Sequence, residues 1–93
     1  MIILGIDPGF RCLGYGLISF EKSKLRYVDS NVIKLKGDVD SRLFTAFSKL
    51  EEIVLRYNPS VIVVEKIISA KNASSTIKLS YIFGICALLR KNI

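Results

Sequence analysis

Two short apolar runs in this chain each end at a carboxylate. Residues 2 to 6, IILGI, lead directly into Asp7, and residues 61 to 64, VIVV, lead into Glu65. Continuous apolar runs of this length, without alternating polar residues, are typical of strands covered on both faces of a parallel sheet. The chain is therefore predicted to contain two buried strands, at residues 2 to 6 and 61 to 65, that each end on an acid.

The segment between the runs changes to a helical period. From Arg42 the apolar residues recur at helical spacing as Leu43, Phe44, Phe47, Leu50, Ile53, Val54 and Tyr57. Asp40 or Ser41 is predicted as the N-cap, and Asn58-Pro59 as the end of the helix. A strand, helix and strand joined in this way predict a right-handed crossover, so the two acid-ended strands should be parallel. A second helix is predicted from about residue 72 or 74 toward Arg90.

The residues after the first acid favour an antiparallel hairpin. LGYGLISFE at 13 to 21 and LRYVDSNVIKL at 25 to 35 have strand character, and the short KSK segment between them invites a tight turn. The fold class is thus predicted as α/β, with a mixed sheet that combines an antiparallel three-strand meander and one parallel strand with helices. At 93 residues the chain suffices for one domain, spanning 1–93.

The two acids predict a metal site. If the parallel strands are neighbours, Asp7 and Glu65 lie at matching strand ends, about 4.8 Å apart in the hydrogen-bonding direction. Two like charges this close require either a raised pKa or a divalent cation, and carboxylate oxygens suit Mg²⁺ or Mn²⁺. An isolated acid would simply be solvated. Arg11, in the loop after Asp7, could hold a phosphate beside the acids or be solvated itself.

Composition narrows the chemistry. The chain has no histidine, which excludes a His general base, a His-containing zinc site and a Ser-His-Asp triad within it. Cys12 and Cys86 match no metal-ligand spacing and suit buried thiols in a reducing cytosol. The net charge is +6, and all eight acids lie at or before Glu65, so the later residues are basic. This pattern favours a polyanionic partner, although a solvated basic face explains it equally well.

The N-terminus lacks a basic segment of the kind found in signal peptides, and the longest uncharged apolar stretch, residues 79 to 89, is too short to span a bilayer. That stretch is predicted to be part of a buried helix. We therefore expect a protein that is neither secreted nor embedded in a membrane.

Two longer segments carry a family resemblance. ILGIDPGFRCLGYGLI together with VIVVEKIISAKNASSTIKLSYIFGICALL resembles the bacterial RuvC family of Holliday junction resolvases, which are crossover junction endodeoxyribonucleases with an RNase H-like fold. GIDPG alone is a weak signal, because actin-like kinases and chaperones begin with a similar turn. AKNASSTIKL after an acid-ended strand is far more specific. The resemblance runs through essentially the whole chain.

The resemblance implies metal-assisted hydrolysis of DNA phosphodiesters at symmetric positions of a four-way junction. Asp7 and Glu65 are then catalytic metal ligands for Mg²⁺, with two ions in the complete enzyme and Asp7 shared between them. Lys66, Lys71 and Lys78 would contact phosphates. The implied partners are junction DNA, a second copy of the chain and a branch-migration motor complex, in the bacterial cytoplasm.

The sequence departs from the family pattern in two respects. Ile68 occupies the position where the family usually has an aromatic residue that acts at the junction's bases. The chain is also shorter than the family and has no acid after Glu65, so half of the expected acidic cluster is absent. A fragment, a decayed gene product and a domain piece remain open explanations. The alternative functions are a non-catalytic DNA-binding or interaction fragment and, less favoured, an actin-like ATP-binding domain.

The second helix is apolar around most of its circumference. One stripe consists of Ile77, Tyr81, Ile85 and Leu88, and the other of Leu79, Ile82, Cys86 and Leu89. One stripe can cover the sheet, and the other needs a further partner. A homodimer interface is predicted at Tyr81, Ile82, Ile85 and Leu89; the alternatives are a missing C-terminal segment and a helix buried on both sides of one complete domain.

Overall fold

The computed structural model describes residues 1–65 and 73–90. These residues form four strands and two helices, in the order β1 (Ile2–Asp7), β2 (Cys12–Glu21), β3 (Lys24–Lys34), α1 (Val39–Tyr57), β4 (Val61–Val64) and α2 (Ala73–Arg90).

The four strands make one mixed sheet in the order β3-β2-β1-β4. β1 is antiparallel to β2, and β2 is antiparallel to β3, whereas β4 is parallel to β1. Ile6 lies opposite Val64, and the Glu65 amide donates a hydrogen bond to the Ile6 carbonyl at 2.9 Å. The predicted meander, the parallel strand and the matching strand ends of the two acids are confirmed.

The turn between β2 and β3 consists of Lys22 and Ser23, which both have positive φ angles, of 50° and 65°. Two left-handed residues in a two-residue turn match the twist of an antiparallel hairpin.

β3 is an edge strand, and two of its amides are bonded locally. The Ser30 amide donates to Asp29 Oδ1 at 2.9 Å, and the Val32 amide donates to Asn31 Oδ1 at 2.8 Å. We call these two contacts the Asx bonds of β3.

Helix α1 begins earlier than its sequence predicted. Asp38 is the N-cap, because its Oδ1 accepts a hydrogen bond from the Ser41 amide at 2.8 Å, so the predicted caps Asp40 and Ser41 are wrong. Gly37 has a φ of 97°, which lets the chain turn just before the cap. The amide bond from Ser41 favours the charged carboxylate and lowers the pKa of Asp38. The helix ends, as predicted, at Asn58, which is left-handed.

Both helices pack on one face of the sheet. The buried core contains residues from all strands but β3, together with both helices and the segment after β3: Leu4, Ile6, Leu13, Leu17, Leu35, Ala46, Leu50, Val54, Ile62, Ile82, Cys86 and Leu89. On the opposite face, Val61 and Val63 of β4 are 39% and 54% exposed. Within the described residues, the prediction that both faces of β4 are covered is therefore wrong.

No helix within the described residues is long and apolar enough to cross a membrane.

Candidate active site

The acid pair lies at the carboxyl ends of the two parallel strands. Asp7 is the last residue of β1, and Glu65 directly follows β4. Leu4 and Ile6 point into the core beneath the helices, so the alternation of side chains places Asp7 on the opposite face. Glu65 continues β4 next to it and lies on the same face.

The two carboxyl groups meet. A hydrogen bond with Asp7 is the main cause that raises the pKa of Glu65, and repulsion between the two negative charges raises it further. Their negative charges therefore lie close together. A divalent cation can offset this repulsion, because both side chains are exposed and offer the oxygen ligands that Mg²⁺ and Mn²⁺ prefer. The residues thus fit a cation bound between them.

Within residues 1–65 and 73–90, no cluster of three or more His, Cys, Asp or Glu side chains is present. The pair supplies two carboxylates, and Mg²⁺ sites of this type keep several water ligands.

The loop that follows Asp7 is held from several sides. The Leu35 amide, just past β3, donates to the Arg11 carbonyl at 2.8 Å. Gly9 lies so close to the next strand that an ideal Cβ built on it would be 2.0 Å from the Cys12 carbonyl oxygen. Only glycine fits this position without a shift of the backbone. The tight turn after the first acid is therefore fixed by backbone contacts.

Arg42 of α1 fixes the same loop and was not singled out by the sequence. Its Nη1 donates to the Phe10 carbonyl at 3.1 Å, and its Nε donates to the Gly37 carbonyl at 2.7 Å. The guanidinium also stacks on the Phe10 ring, with Cζ 4.8 Å from the ring centroid. The contacts with Phe10 join residues 32 positions apart, so no local pattern could have revealed them. Arg42 thus links the first turn of α1 to the loop after Asp7.

Three glycines lie beside Asp7 in the sheet, so no side chains from these positions cover it. Gly5 and Gly16 are cross-strand partners, and Gly14 lies opposite Asp7 itself. A Cβ on Gly16 would meet no atom within 4 Å. Asp7 and these glycines line an open depression of about 490 Å³. This geometry leaves room for another molecule to approach the sheet closely beside Asp7.

The structure describes two of the four predicted phosphate-binding residues. Arg11 is exposed in the loop after Asp7, and Lys78 of α2 reaches the same loop, with its Nζ 5.4 Å from the Phe10 ring centroid. Lys66 and Lys71 lie outside the described residues, as does Ile68. The structure therefore brings Arg11 and Lys78 to the loop that follows the acid pair.

The predicted dimer interface requires correction. Ile82 and Leu89 are both fully buried in the chain's own core, so their assignment to a dimer interface is wrong. Tyr81 is 45% exposed and Ile85 is half-buried. The outward stripe of α2 therefore consists of Tyr81 with Ile77 and Leu88, and Ile85 lies at its margin.

A second, more enclosed depression lies between β3 and α1, with a volume of about 410 Å³. Its lining includes Tyr57, whose hydroxyl donates to Asp29 Oδ2 at 3.2 Å. Burial and the nearby Asp29 charge raise the pKa of Tyr15, which also lines it. Cations and acids are mixed along this depression. The acid pair is therefore the stronger candidate for a reactive site.

A mixed sheet with two acids at the ends of neighbouring parallel strands defines the class of this protein as an RNase H-like α/β domain. The sequence model of one family, described as crossover junction endodeoxyribonuclease RuvC, matches residues 3–92. The chain belongs to the RuvC family.

Individual relatives agree with this assignment. The crossover junction endodeoxyribonuclease RuvC of Citrifermentans bemidjiense is 42% identical over 95 residues, which cover 100% of this chain and 58% of the relative. The solved structure titled "T. thermophilus RuvC in complex with Holliday junction substrate" superposes with a TM-score of 0.90 at 22% identity, covering 99% of this chain and 60% of that one. The chain thus spans somewhat more than half the length of these relatives.

The fold alone is shared more widely. An Aquifex aeolicus Ppx/GppA phosphatase superposes with a TM-score of 0.59 at 16% identity, covering 96% of this chain and 34% of the phosphatase. The sheet and helices therefore do not identify the reaction, and the residues of the site must indicate it.

Proposed function

We propose that this chain supplies the Asp7 and Glu65 portion of a metal-dependent active site that hydrolyses phosphodiesters of four-way DNA junctions. The observation that carries the proposal is the contact between the two carboxyls at matching ends of β1 and β4, in a chain of the RuvC family. The raised pKa of Glu65 supports it, because the nearby Asp7 charge that contributes to the shift also makes the site attractive to a cation.

Asp7 and Glu65 would hold Mg²⁺, or Mn²⁺, with two ions in the complete enzyme. The metal supplies activation of the attacking water and stabilisation of the leaving 3′ oxygen. Protons compete with a metal ion for carboxylate oxygens, so we expect metal binding to weaken as the pH falls. Arg11 and Lys78 orient the DNA by holding phosphates, which provides affinity without reading sequence.

Gly14 and Gly16 have no side chains, which leaves room for another part of the complete enzyme, or for substrate, to lie directly beside Asp7. We further propose that residues 1–93 act as one domain of a homodimeric protein of the bacterial cytosol. Two subunits related by a twofold axis present two sites to a symmetric junction. A branch-migration motor complex is the expected assembly partner by family resemblance.

Nicking of a labelled four-way junction tests the proposal. Two forms are compared, this 93-residue chain and a version extended to the length of its relatives, each with Mg²⁺ and with EDTA. We expect the extended form to cut in Mg²⁺ and to lose cutting in the Asp7→Asn and Glu65→Gln variants. Glu52→Gln, an exposed acid on α1, is the matched control and should retain activity.

The 93-residue chain should bind Mg²⁺ weakly and cut poorly, because two carboxylates are few ligands to fix two ions. Strong Mg²⁺-dependent cutting by this short chain would show that the additional length matters less than proposed. Undiminished cutting by the extended Asp7→Asn variant would refute the assignment of the site. Junction binding without cutting by the extended form would favour a non-catalytic DNA-binding role.

A further inference from the structure

Two cations share one aromatic ring in the loop after the acid pair. Arg42 Cζ lies 4.8 Å and Lys78 Nζ 5.4 Å from the centroid of Phe10, which is the third residue after Asp7. The two charges are therefore no farther apart than about 10 Å. They come from different helices, since Arg42 lies on α1 and Lys78 on α2.

Neither cation forms an ion pair with the protein around it. Within residues 1–65 and 73–90, no ion pair joins Arg42 or Lys78 to a carboxylate. All eight acidic side chains of the chain lie in the first of these two ranges. Two like charges held close together, with neither paired, create a local positive potential that attracts an anion.

Arg42 has guanidinium N–H groups that its contacts with Gly37 and Phe10 do not use. A guanidinium carries five N–H groups, and the two contacts to the Gly37 and Phe10 carbonyls use two of them. Three N–H groups remain, two of them on Nη2. A planar fork with free donors is suited to binding a phosphate through two parallel hydrogen bonds. The same side chain can therefore hold the loop and bind a ligand.

Phe10 organises the two cations. Lysine and arginine side chains have many rotamers, and the attraction of a cation to an aromatic face restricts both to one place. A phosphate that binds there meets charges that are already positioned, so less conformational freedom is lost on binding.

We propose that Arg42 and Lys78, stacked on Phe10, form a phosphate clamp that holds the backbone of the DNA strand beside the acid pair. Arg42 contributes a forked hydrogen-bonding group, Lys78 contributes a point charge, and Phe10 sets their positions. The clamp reads backbone charge only, so it acts on duplex DNA as well as on junctions. Its substrate class rests on the proposed function.

The test measures the salt dependence of DNA binding by the 93-residue chain. Fluorescence anisotropy is recorded with a labelled four-way junction and a labelled duplex of equal length, in EDTA, over a series of salt concentrations. Each phosphate contact contributes about −0.9 to the slope of log K against log salt. Lys78→Gln and Arg42→Gln should each reduce the magnitude of the slope by about 0.9 on both DNAs.

Two further variants complete the design. Phe10→Leu keeps both charges but removes the ring, and it should weaken binding at every salt concentration. Arg56→Gln is the matched control. Arg56 lies in the last turn of α1, at the other end of the helix from Arg42, and its Cζ is 5.3 Å from the ring centroid of its neighbour Tyr57. This variant should leave the slope unchanged. Circular dichroism establishes that each variant is folded, and if Arg42→Gln unfolds, Lys78→Gln and Phe10→Leu decide.

The clamp is refuted if Lys78→Gln and Phe10→Leu bind as the unsubstituted chain does, or if Arg56→Gln reduces the slope equally. These results are separable from the proposed function. Slope changes on both DNAs without cutting by the extended form would support the clamp and contradict the nuclease. Cutting by the extended form without slope changes would support the nuclease and contradict the clamp.

Discussion

Substitution of Gly9 by alanine tests how tightly the loop after Asp7 is built. An ideal Cβ at this position would lie 2.0 Å from the Cys12 carbonyl oxygen and 3.2 Å from the carbonyl carbon. Carbon and oxygen atoms in favourable contact lie about 3.3 to 3.6 Å apart. The loop or the start of β2 must therefore move by at least about 1.3 Å. Both obstructing atoms belong to backbone, so a side-chain rotation cannot relieve the clash.

The expected cost has two parts. Forcing an extra methyl group into a closely packed site destabilises a protein by about 1–3 kcal/mol. The second part concerns function, because Gly9 is two residues after Asp7 and the movement is transmitted to the acid pair. A displacement of about 1 Å in a catalytic group can reduce a rate by about 100-fold. We expect both effects in the Gly9→Ala variant.

Urea unfolding followed by circular dichroism measures the first effect, and Mg²⁺-dependent nicking by the family-length form measures the second. Gly16→Ala is the control for the unfolding measurement alone, because a Cβ there would meet no atom within 4 Å. Its free energy of unfolding should be unchanged or higher by up to about 1 kcal/mol, since alanine restricts the unfolded chain. If Gly9→Ala and Gly16→Ala unfold at the same urea concentration, and Gly9→Ala cuts as well as the unsubstituted form, the close approach at Gly9 does not constrain the loop.

Three other predictions concern the helices and the thiols. Ile82→Ala should lower the free energy of unfolding by about 2–5 kcal/mol, because Ile82 is fully buried. Tyr81→Ala should change it by less than about 1 kcal/mol, because Tyr81 is 45% exposed. Urea titrations of dilute protein measure both values. The prediction of a buried thiol is confirmed for Cys86 and wrong for Cys12, which is exposed. Burial raises the pKa of Cys86 to about 11, so a thiol reagent at pH 8 should label Cys12 quickly and Cys86 only in denaturant; equal labelling rates in the native protein would contradict this. Ionised Asp38 caps α1 and its folded-state pKa is lowered, so its stabilising effect is present above the unfolded-state pKa and is lost as the pH falls through the lowered value; Asp38→Asn should flatten this part of the acid-unfolding curve.

The sheet could be predicted from the sequence because its signals were strong and consistent. Two apolar runs of strand length, a helix of the right length between them and a short polar turn leave few topologies, and the right-handed crossover rule selects one. The meeting of Asp7 and Glu65 then follows from the register. These predictions depend on apolar patterns and segment lengths, which do not change with the way the side chains pack.

The details that depend on competition between similar residues were not predictable. Asp38, Asp40 and Ser41 are all good N-caps, and the choice of Asp38 depends on the left-handed Gly37 before it. The stripes of α2 are both apolar, so the sequence cannot tell which one faces the sheet. The structure buries Ile82 and Leu89 and leaves the other stripe outward. Arg42 was missed because Phe10, the loop residue that it contacts, is distant in sequence.

The Asx bonds of β3 bear on how this protein behaves when many copies are crowded together. An edge strand with unbonded amides is a template on which another chain can add a strand and begin to polymerise. In β3 the amides of Ser30 and Val32 are already bonded to neighbouring side chains, so an incoming strand would have to break these bonds first. Lys24 and Arg26, exposed on the same strand, repel an identical edge. Molecules at high local concentration can therefore lie side by side without joining their sheets through β3.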